Sequence, residues 1–139
     1  MGADGGARLG PVRVRWVEAD AVSRDAARAV CALGRSQRRR LRRLDGLAAA
    51  CFAAGRLLIA GLVAEITGVT AAPRLSTTCP RCGDEHGPPA VPDVPVVVSY
   101  AGPLAVLAAA HRDEVVARGG DVKAGVSLWF CQAAAGSSS

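Results

Sequence analysis

Aromatic residues are scarce in this chain: two Trp, two Phe and one Tyr, or 4% of 139 residues. Hydrophobic residues nevertheless make up 50% of the sequence, so Ala, Val and Leu must fill the core of a folded domain. This composition excludes an intrinsically disordered chain and a collagen-like chain. We expect one domain, or half of a larger two-lobed protein.

Cysteines are too few for a disulfide-dense mini-protein, and their number, five, is odd. The N-terminus lacks the basic start and apolar run of a secretory signal, so we expect a cytoplasmic protein with reduced thiols. The most apolar stretch, residues 47–64, contains Arg56 and is followed by Glu65. These charges favour a buried helix over a membrane span, and we expect no membrane partner.

Lysine is nearly absent: Lys123 is the single Lys among 17 basic residues, and the net charge is +5. A preference for Arg over Lys is typical of GC-rich genomes, whereas the net charge favours phosphates, nucleic acid or acidic proteins as partners. Six arginines lie between residues 35 and 43. They form either a solvated helix face, a mobile loop, or a clamp in which guanidinium groups pair with phosphate oxygens.

The hydrophobic pattern predicts an α+β fold in which a long buried helix packs on a small, mostly antiparallel sheet. Residues 12–17 open with alternating apolar and basic residues and predict a strand. Residues 47–67 predict the long helix, with an apolar stripe that includes Leu47, Ala54 and Gly61. Much of its remaining surface is also apolar, which predicts burial on more than one side. Residues 104–111 predict a second strand or a short helix, and we favour the strand, as the hairpin partner of residues 96–99. The Gly-rich residues 1–10 are expected to be a disordered N-terminus, and residues 124–139 a disordered, low-complexity tail.

Several catalytic motifs are missing. There is no Gly-rich phosphate loop, and Ser99 lacks the context of a nucleophile elbow. Asp121 follows Gly119-Gly120 after a β-prone stretch. Its carboxylate is either a Mg²⁺ ligand at a strand end or part of an ordinary turn.

Cys79, Cys82 and His86 have the spacing of half a zinc site. Structural zinc needs four tetrahedral ligands, and the next cysteine, Cys131, is far along the chain. The segment is therefore either part of a zinc site or a tight loop stabilised by packing.

Taken in order, these segments resemble the N-terminal half of the Sfp-type 4′-phosphopantetheinyl transferases, particularly actinobacterial ones. An Arg-rich stretch precedes the long helix, and a Cys-Pro-x-Cys-Gly-x-x-His-Gly-x-Pro loop follows at residues 79–89. Val-Ser-Tyr-Ala-Gly comes next at residues 98–102, and Gly-x-Asp-Val stands at residues 119–122. The similarity extends from about residue 12 to residue 122, so we interpret residues 11–123 as one transferase lobe.

The resemblance implies transfer of the phosphopantetheine arm of coenzyme A (CoA) to a serine of an apo acyl or peptidyl carrier protein, with Mg²⁺ on the phosphates. It implies CoA contacts from Arg56, Ser99, Tyr100 and His86, and from part of the Arg run at residues 38–43. It also implies that Asp121 is a Mg²⁺ ligand and that CoA lies between two similar lobes.

The resemblance has departures. Lys123 stands where a second metal-binding Glu is expected, and no second lobe follows residue 122. We therefore expect a truncated or frame-shifted product, inactive alone, that pairs with a second copy or a separate C-terminal lobe. The alternative is a basic, non-enzymatic module that uses residues 35–43 to bind nucleic acid or an acidic partner. The lack of stacking aromatic residues counts against nucleic acid.

Overall fold

The computed structural model describes residues 4–117, which form an antiparallel four-stranded sheet, four α-helices and a short 3₁₀ helix. The elements in chain order are β1 (Asp4–Leu9), β2 (Val12–Glu18), the 3₁₀ helix (Ala19–Val22), α1 (Ser23–Leu33), α2 (Arg35–Arg42), α3 (Gly46–Thr67), β3 (Val96–Ala101), β4 (Leu104–Ala109) and α4 (Arg112–Ala117). The strand order in the sheet is β1-β2-β4-β3. The α+β class, the antiparallel sheet and the long apolar helix predicted from the sequence are confirmed.

Helix α3 is the centre of the core because it is covered on two sides. Cys51 and Ala54 face the sheet, where they pack with Val17 and Ala105. Further along the helix, Ile59 is fully buried in the cluster that α3 forms with β3 and β4. Burying a side chain of this size contributes about 1.5–3 kcal/mol to folding.

The other side of α3 packs against α1, where Phe52 and Ala53 contact Ala26 and Val30. Every residue from 51 to 56 is therefore buried. The burial on more than one side that the sequence predicted is therefore confirmed. Two members of the predicted apolar stripe, Leu47 and Gly61, are nevertheless exposed.

The N-terminal segment differs from the sequence prediction. Residues 1–10 were expected to be disordered, but β1 occupies residues 4–9 and pairs with β2 along its whole length. Gly5 lies opposite Trp16, and a Cβ atom on Gly5 would approach the indole ring to 2.6 Å. The glycines therefore leave room for the large β2 side chains, while the backbone hydrogen bonds form the strand.

The predicted hairpin is present as β3 and β4, with Val96 opposite Ala109 and a turn at Gly102. Two local details differ from the prediction. Strand β4 ends at Ala109, before the predicted end at residue 111. Residues 115–117, which belong to the β-prone stretch before Gly119-Gly120, lie in α4. The first turn of that helix contains Asp113 and Glu114, which favours a helix start.

By length and composition, α3 is a candidate membrane span, and half of its most apolar window is buried inside the protein. The predicted metal ligand Asp121, Lys123 and the tail at residues 124–139 lie outside the described residues.

Candidate functional site

A cleft of about 670 Å³ opens between α2, the first half of α3, the loop at residues 86–89 and the end of the β3–β4 hairpin. Its walls combine apolar side chains with four polar ones: Arg40, Arg56, His86 and Tyr100. A cleft of this size with a few convergent polar groups is typical of a small-molecule site.

Arg56 is the most unusual residue of the cleft, because its side chain is charged yet only 2% exposed. Its Nε donates a hydrogen bond to Gln37 Oε1 at 2.9 Å, and Gln37 Nε2 in turn donates to Thr77 Oγ1 at 3.2 Å. Gln37 and Thr77 are themselves buried. This chain of bonds fixes the guanidinium group between α3, α2 and the segment that precedes the 79–89 loop.

The guanidinium group also lies over an aromatic ring. Its central carbon is 4.3 Å from the centre of the Phe52 ring, one turn earlier in α3, and Arg40 approaches the same ring at 5.5 Å. Both contacts are within the range of cation–π attraction. Phe52 therefore brings two positive charges into one wall of the cleft.

Among residues 4–117, no carboxylate forms a salt bridge with Arg56. Burial lowers the pKa of Arg56 to about 10, an effect that Tyr100 opposes and the positive charge of Arg40 reinforces. At neutral pH the group is still charged. The cleft thus contains a desolvated cation without a described counter-ion, a condition that favours binding of an anion.

Tyr100 faces the same cleft from β3. Its hydroxyl lies over α3 at Gly55, where a Cβ atom would approach the phenolic oxygen to 2.8 Å. Burial raises the pKa of Tyr100, and Arg56 opposes that effect. The phenol therefore remains a neutral hydrogen-bond donor at physiological pH, and Gly55 is the residue that makes space for it.

Arg40 connects α2 to the loop wall of the cleft. Its Nη1 lies 3.5 Å from the carbonyl oxygen of Glu85 and 3.4 Å from that of Gly87. Four other arginines of the run are exposed on α2 and its C-terminal cap: Arg35, Arg39, Arg42 and Arg43. The run predicted from sequence is therefore a helix in which one arginine lines the cleft and most of the others face solvent.

The structure brings together three of the residues predicted for CoA contact, Arg56, Tyr100 and His86. Ser99 is not among the residues lining this cleft. It is exposed and pairs with Val106, and strand alternation directs its side chain to the opposite face of the sheet from Tyr100. The predicted metal ligand, Asp121, lies outside the described residues.

Sequence reasoning did not single out Phe52 or Gln37. The Phe52–Arg56 pair has the i, i+4 spacing that places two side chains on one helix face, so that contact had a local signal. The Gln37–Arg56 bond joins residues 19 positions apart, and only the packing of α2 on α3 creates it.

Comparison of the chain with protein-family models, with curated proteins and with solved structures found no match. We therefore infer the function from the cleft and from the motifs of the sequence.

Proposed function

We propose that this chain is a CoA-binding lobe of a 4′-phosphopantetheinyl transferase, which moves the phosphopantetheine arm of CoA to a serine of an apo carrier protein. The observation that carries the proposal is Arg56, a buried cation that borders the cleft without a carboxylate partner among residues 4–117. The order of the motifs in the sequence indicates the class of reaction. The cleft is the site where we place the phosphates of CoA.

A bound phosphate changes the electrostatic environment of Arg56. A buried guanidinium group without a counter-ion loses much of its hydration, and a phosphate oxygen restores the missing favourable interaction. Arg40 contributes a second charge over the same Phe52 ring. Tyr100 adds a neutral O–H donor. We assign these three side chains to the phosphates of CoA, with His86 at the loop edge of the cleft.

In the proposed reaction, the hydroxyl oxygen of the carrier serine attacks the phosphorus that bears the pantetheine arm. The new phosphorus–oxygen bond replaces the one to 3′,5′-ADP, which leaves with the electron pair, and the serine proton passes to solvent or a base. The contribution of Arg56 and Arg40 is to orient the phosphates and to balance their charge.

The described part of the cleft fits phosphate and does not fit Mg²⁺. Its lining contains no Asp or Glu, whereas Mg²⁺ prefers carboxylate and water oxygens. Asp121 is the Mg²⁺ ligand that we propose from the resemblance, and it lies outside the described residues. We therefore assign no reaction step to the metal.

The experiment that tests the proposal is calorimetric titration of the purified chain with CoA and with pantetheine, which lacks the phosphates. We expect CoA to bind, pantetheine to bind far more weakly, and Arg56→Met to weaken CoA binding at least about tenfold, since charge-assisted bonds are worth about 1.5–3 kcal/mol. Arg28→Met is the matched control, because Arg28 is an exposed residue of α1 away from the cleft. Equal affinities for wild type and Arg56→Met would refute the proposal.

A transfer assay with an apo carrier protein and Mg²⁺ then separates binding from catalysis. A mass gain of one phosphopantetheine on the carrier would show that the chain is active by itself. CoA binding without a mass gain on the carrier would show that the chain is a CoA-binding lobe that does not catalyse the transfer by itself.

The exposed arginines of α2 favour a second candidate, a basic module that binds nucleic acid. Arg35, Arg39 and Arg42 are spaced to lie along one helix face and are exposed. In that case the binding constant for nucleic acid falls steeply with salt concentration. Replacing Arg39 and Arg42 by Gln would reduce the binding constant for nucleic acid, whereas replacing Arg56 would not.

A further inference from the structure

The loop at residues 79–89 contains a cluster of potential metal ligands separate from the arginines and the tyrosine of the cleft. The ligand atoms of Cys79, Cys82 and His86 all lie within 4.8 Å of one another. In a tetrahedral zinc site, neighbouring sulfur and nitrogen ligands are separated by about 3.5–3.8 Å. The three side chains therefore converge on a volume that one ion would fill.

Two of these ligands are in direct contact: Cys82 Sγ lies 2.8 Å from His86 Nε2. A zinc ion between them would move the two atoms apart by less than about 1 Å, which is within reach of the exposed Cys82 and His86 side chains.

Cys79 is the buried ligand of the cluster, 9% exposed, whereas Cys82 and His86 are exposed. Zinc binds the thiolate form of cysteine, so uptake of the ion releases the thiol protons to solvent. One ligand is therefore anchored in the protein, and two lie at the surface where an ion in solution can reach them.

The loop is also held in a fixed shape. Gly83 has a φ of 79°, a left-handed conformation, and its N–H donates to Cys79 O at 2.9 Å. Gly87 packs so closely that a Cβ atom would lie 2.7 Å from Thr78 O, and its N–H donates to Thr77 O. These two glycines bend the chain back so that His86 meets the cysteines.

We propose that Cys79, Cys82 and His86 bind one zinc ion, with the fourth position taken by water. Zn²⁺ displaces the two thiol protons to solvent, and the two thiolates and the neutral imidazole leave a site of zero net charge. The ion would hold the turn that presents His86, Gly87 and the two following prolines to the cleft, although three protein ligands leave one coordination position open, unlike a closed four-ligand site.

Zinc uptake tests this proposal without reference to CoA. The chain, purified under reducing conditions and freed of metal with a chelator, is titrated with ZnCl₂ alone, and bound zinc is measured against a chromophoric chelator and by elemental analysis. We expect one zinc per chain for the wild type and for Cys31→Ser, whose thiol is exposed on α1. Cys82→Ser and His86→Gln are expected to weaken binding by more than about 100-fold.

Cobalt titration provides the second readout. Co²⁺ in the site should give a sulfur-to-cobalt charge-transfer band, which should lose intensity in Cys82→Ser and persist in Cys31→Ser. Zinc should also raise the unfolding temperature of the wild type and not that of Cys82→Ser. Because His86 and Cys82 are exposed, we expect Cys82→Ser and His86→Gln to remain folded. Circular dichroism checks that both variants keep the secondary structure of the wild type.

Two outcomes would overturn the proposal. One is the same zinc stoichiometry and affinity in Cys82→Ser as in the wild type. The other is a wild-type chain that binds no zinc, whether its two loop thiols remain reduced or form a disulfide detected by the mass lost on oxidation. Either result would leave the proposal of CoA binding unaffected, because that proposal depends on Arg56 and not on the metal.

Discussion

The guanidinium carbon of Arg56 lies 4.3 Å from the centre of the Phe52 ring, so the ring supports the buried charge together with the hydrogen bond to Gln37. We expect Phe52→Leu to lower the free energy of unfolding, since a desolvated cation–π contact is worth about 0.5–2 kcal/mol beyond the loss of ring packing. A double-mutant cycle with Arg56→Met, measured by urea unfolding, isolates the contact.

The matched cycle for this contact pairs Phe52→Leu with Arg28→Met. Arg28 is exposed on α1, so its coupling energy with Phe52 should be near zero. An Arg56 coupling no larger than that of Arg28 would show that the ring provides only packing.

Gly55→Ala provides a test of the contact between α3 and Tyr100. In a helix, Ala ordinarily stabilises relative to Gly by about 0.5–1 kcal/mol. At position 55 the added methyl would lie 2.8 Å from the Tyr100 hydroxyl, so the phenol must move. We expect little net stabilisation and weaker CoA binding, measured by thermal unfolding and calorimetry.

Gly61→Ala is the control for this substitution, because a Cβ atom there would meet nothing within 4 Å. It should show the ordinary stabilisation and unchanged CoA affinity. In the Tyr100→Ala background, Gly55→Ala should show the ordinary stabilisation again, because the clashing hydroxyl is gone. Equal behaviour of the two glycine variants would mean that Tyr100 does not contact α3 in solution.

The affinity for CoA should depend on pH through the charge of the Arg56 guanidinium group. Burial lowers the pKa of Arg56 in the folded chain to about 10, below its ordinary value, so burial opposes folding while both states are charged. That penalty is fully present below pH 10 and disappears as the pH rises above 10 toward the pKa of the unfolded chain, because the folded chain loses the proton first. At neutral pH, a bound phosphate offsets this desolvation penalty because it pairs with the charged guanidinium group.

We therefore expect a constant affinity for CoA between about pH 7 and pH 9, where the phosphates are fully ionised. The affinity should fall only near pH 10, as Arg56 loses its charge. Calorimetry from about pH 7 to pH 10 measures the affinity for CoA, with Arg28→Met as the reference variant. A decline centred well below pH 9 would assign the phosphate contact to another group.

Glu65 connects the end of α3 to β2 through two arginines. Its carboxylate accepts hydrogen bonds from Arg15 at 2.8 Å on both oxygens and from Arg13 at 3.1 Å. Because the group is 43% exposed, we expect Glu65→Gln to cost only about 0.5–1 kcal/mol, and less at high salt. Glu18→Gln, at the exposed end of β2, is the control, and a salt-independent loss would argue against an ionic contact.

Much of the fold was predictable because its signals are local. The long apolar segment produces α3, and the β-prone runs on either side of Gly102 produce the hairpin. Strand β1 was not predictable, since Gly5 and Gly6 carry no hydrophobic pattern and their place in the sheet depends on Trp16 and Arg15 opposite them.

The candidate site was predictable in part. Arg56 stood out as the one charge inside an apolar helix, whereas its partners Gln37 and Thr77 belong to other segments and meet it only through packing. The Arg run indicated positive charge, but helix geometry alone decides that Arg40 lines the cleft while Arg39 faces solvent.

The strand order has a consequence for how the chain folds. The central pair β2–β4 joins Arg13 to Ala109 and Glu18 to Leu104, so the middle of the sheet closes only after nearly the whole described chain has been synthesised. Until β4 leaves the ribosome, β2 and β3 have no central strand to join them, and the part of α3 that packs against Ala105 and Leu107 stays uncovered. Contacts between distant segments slow folding and expose apolar surface to aggregation. We expect slow refolding, and β4 is the segment whose arrival completes the core.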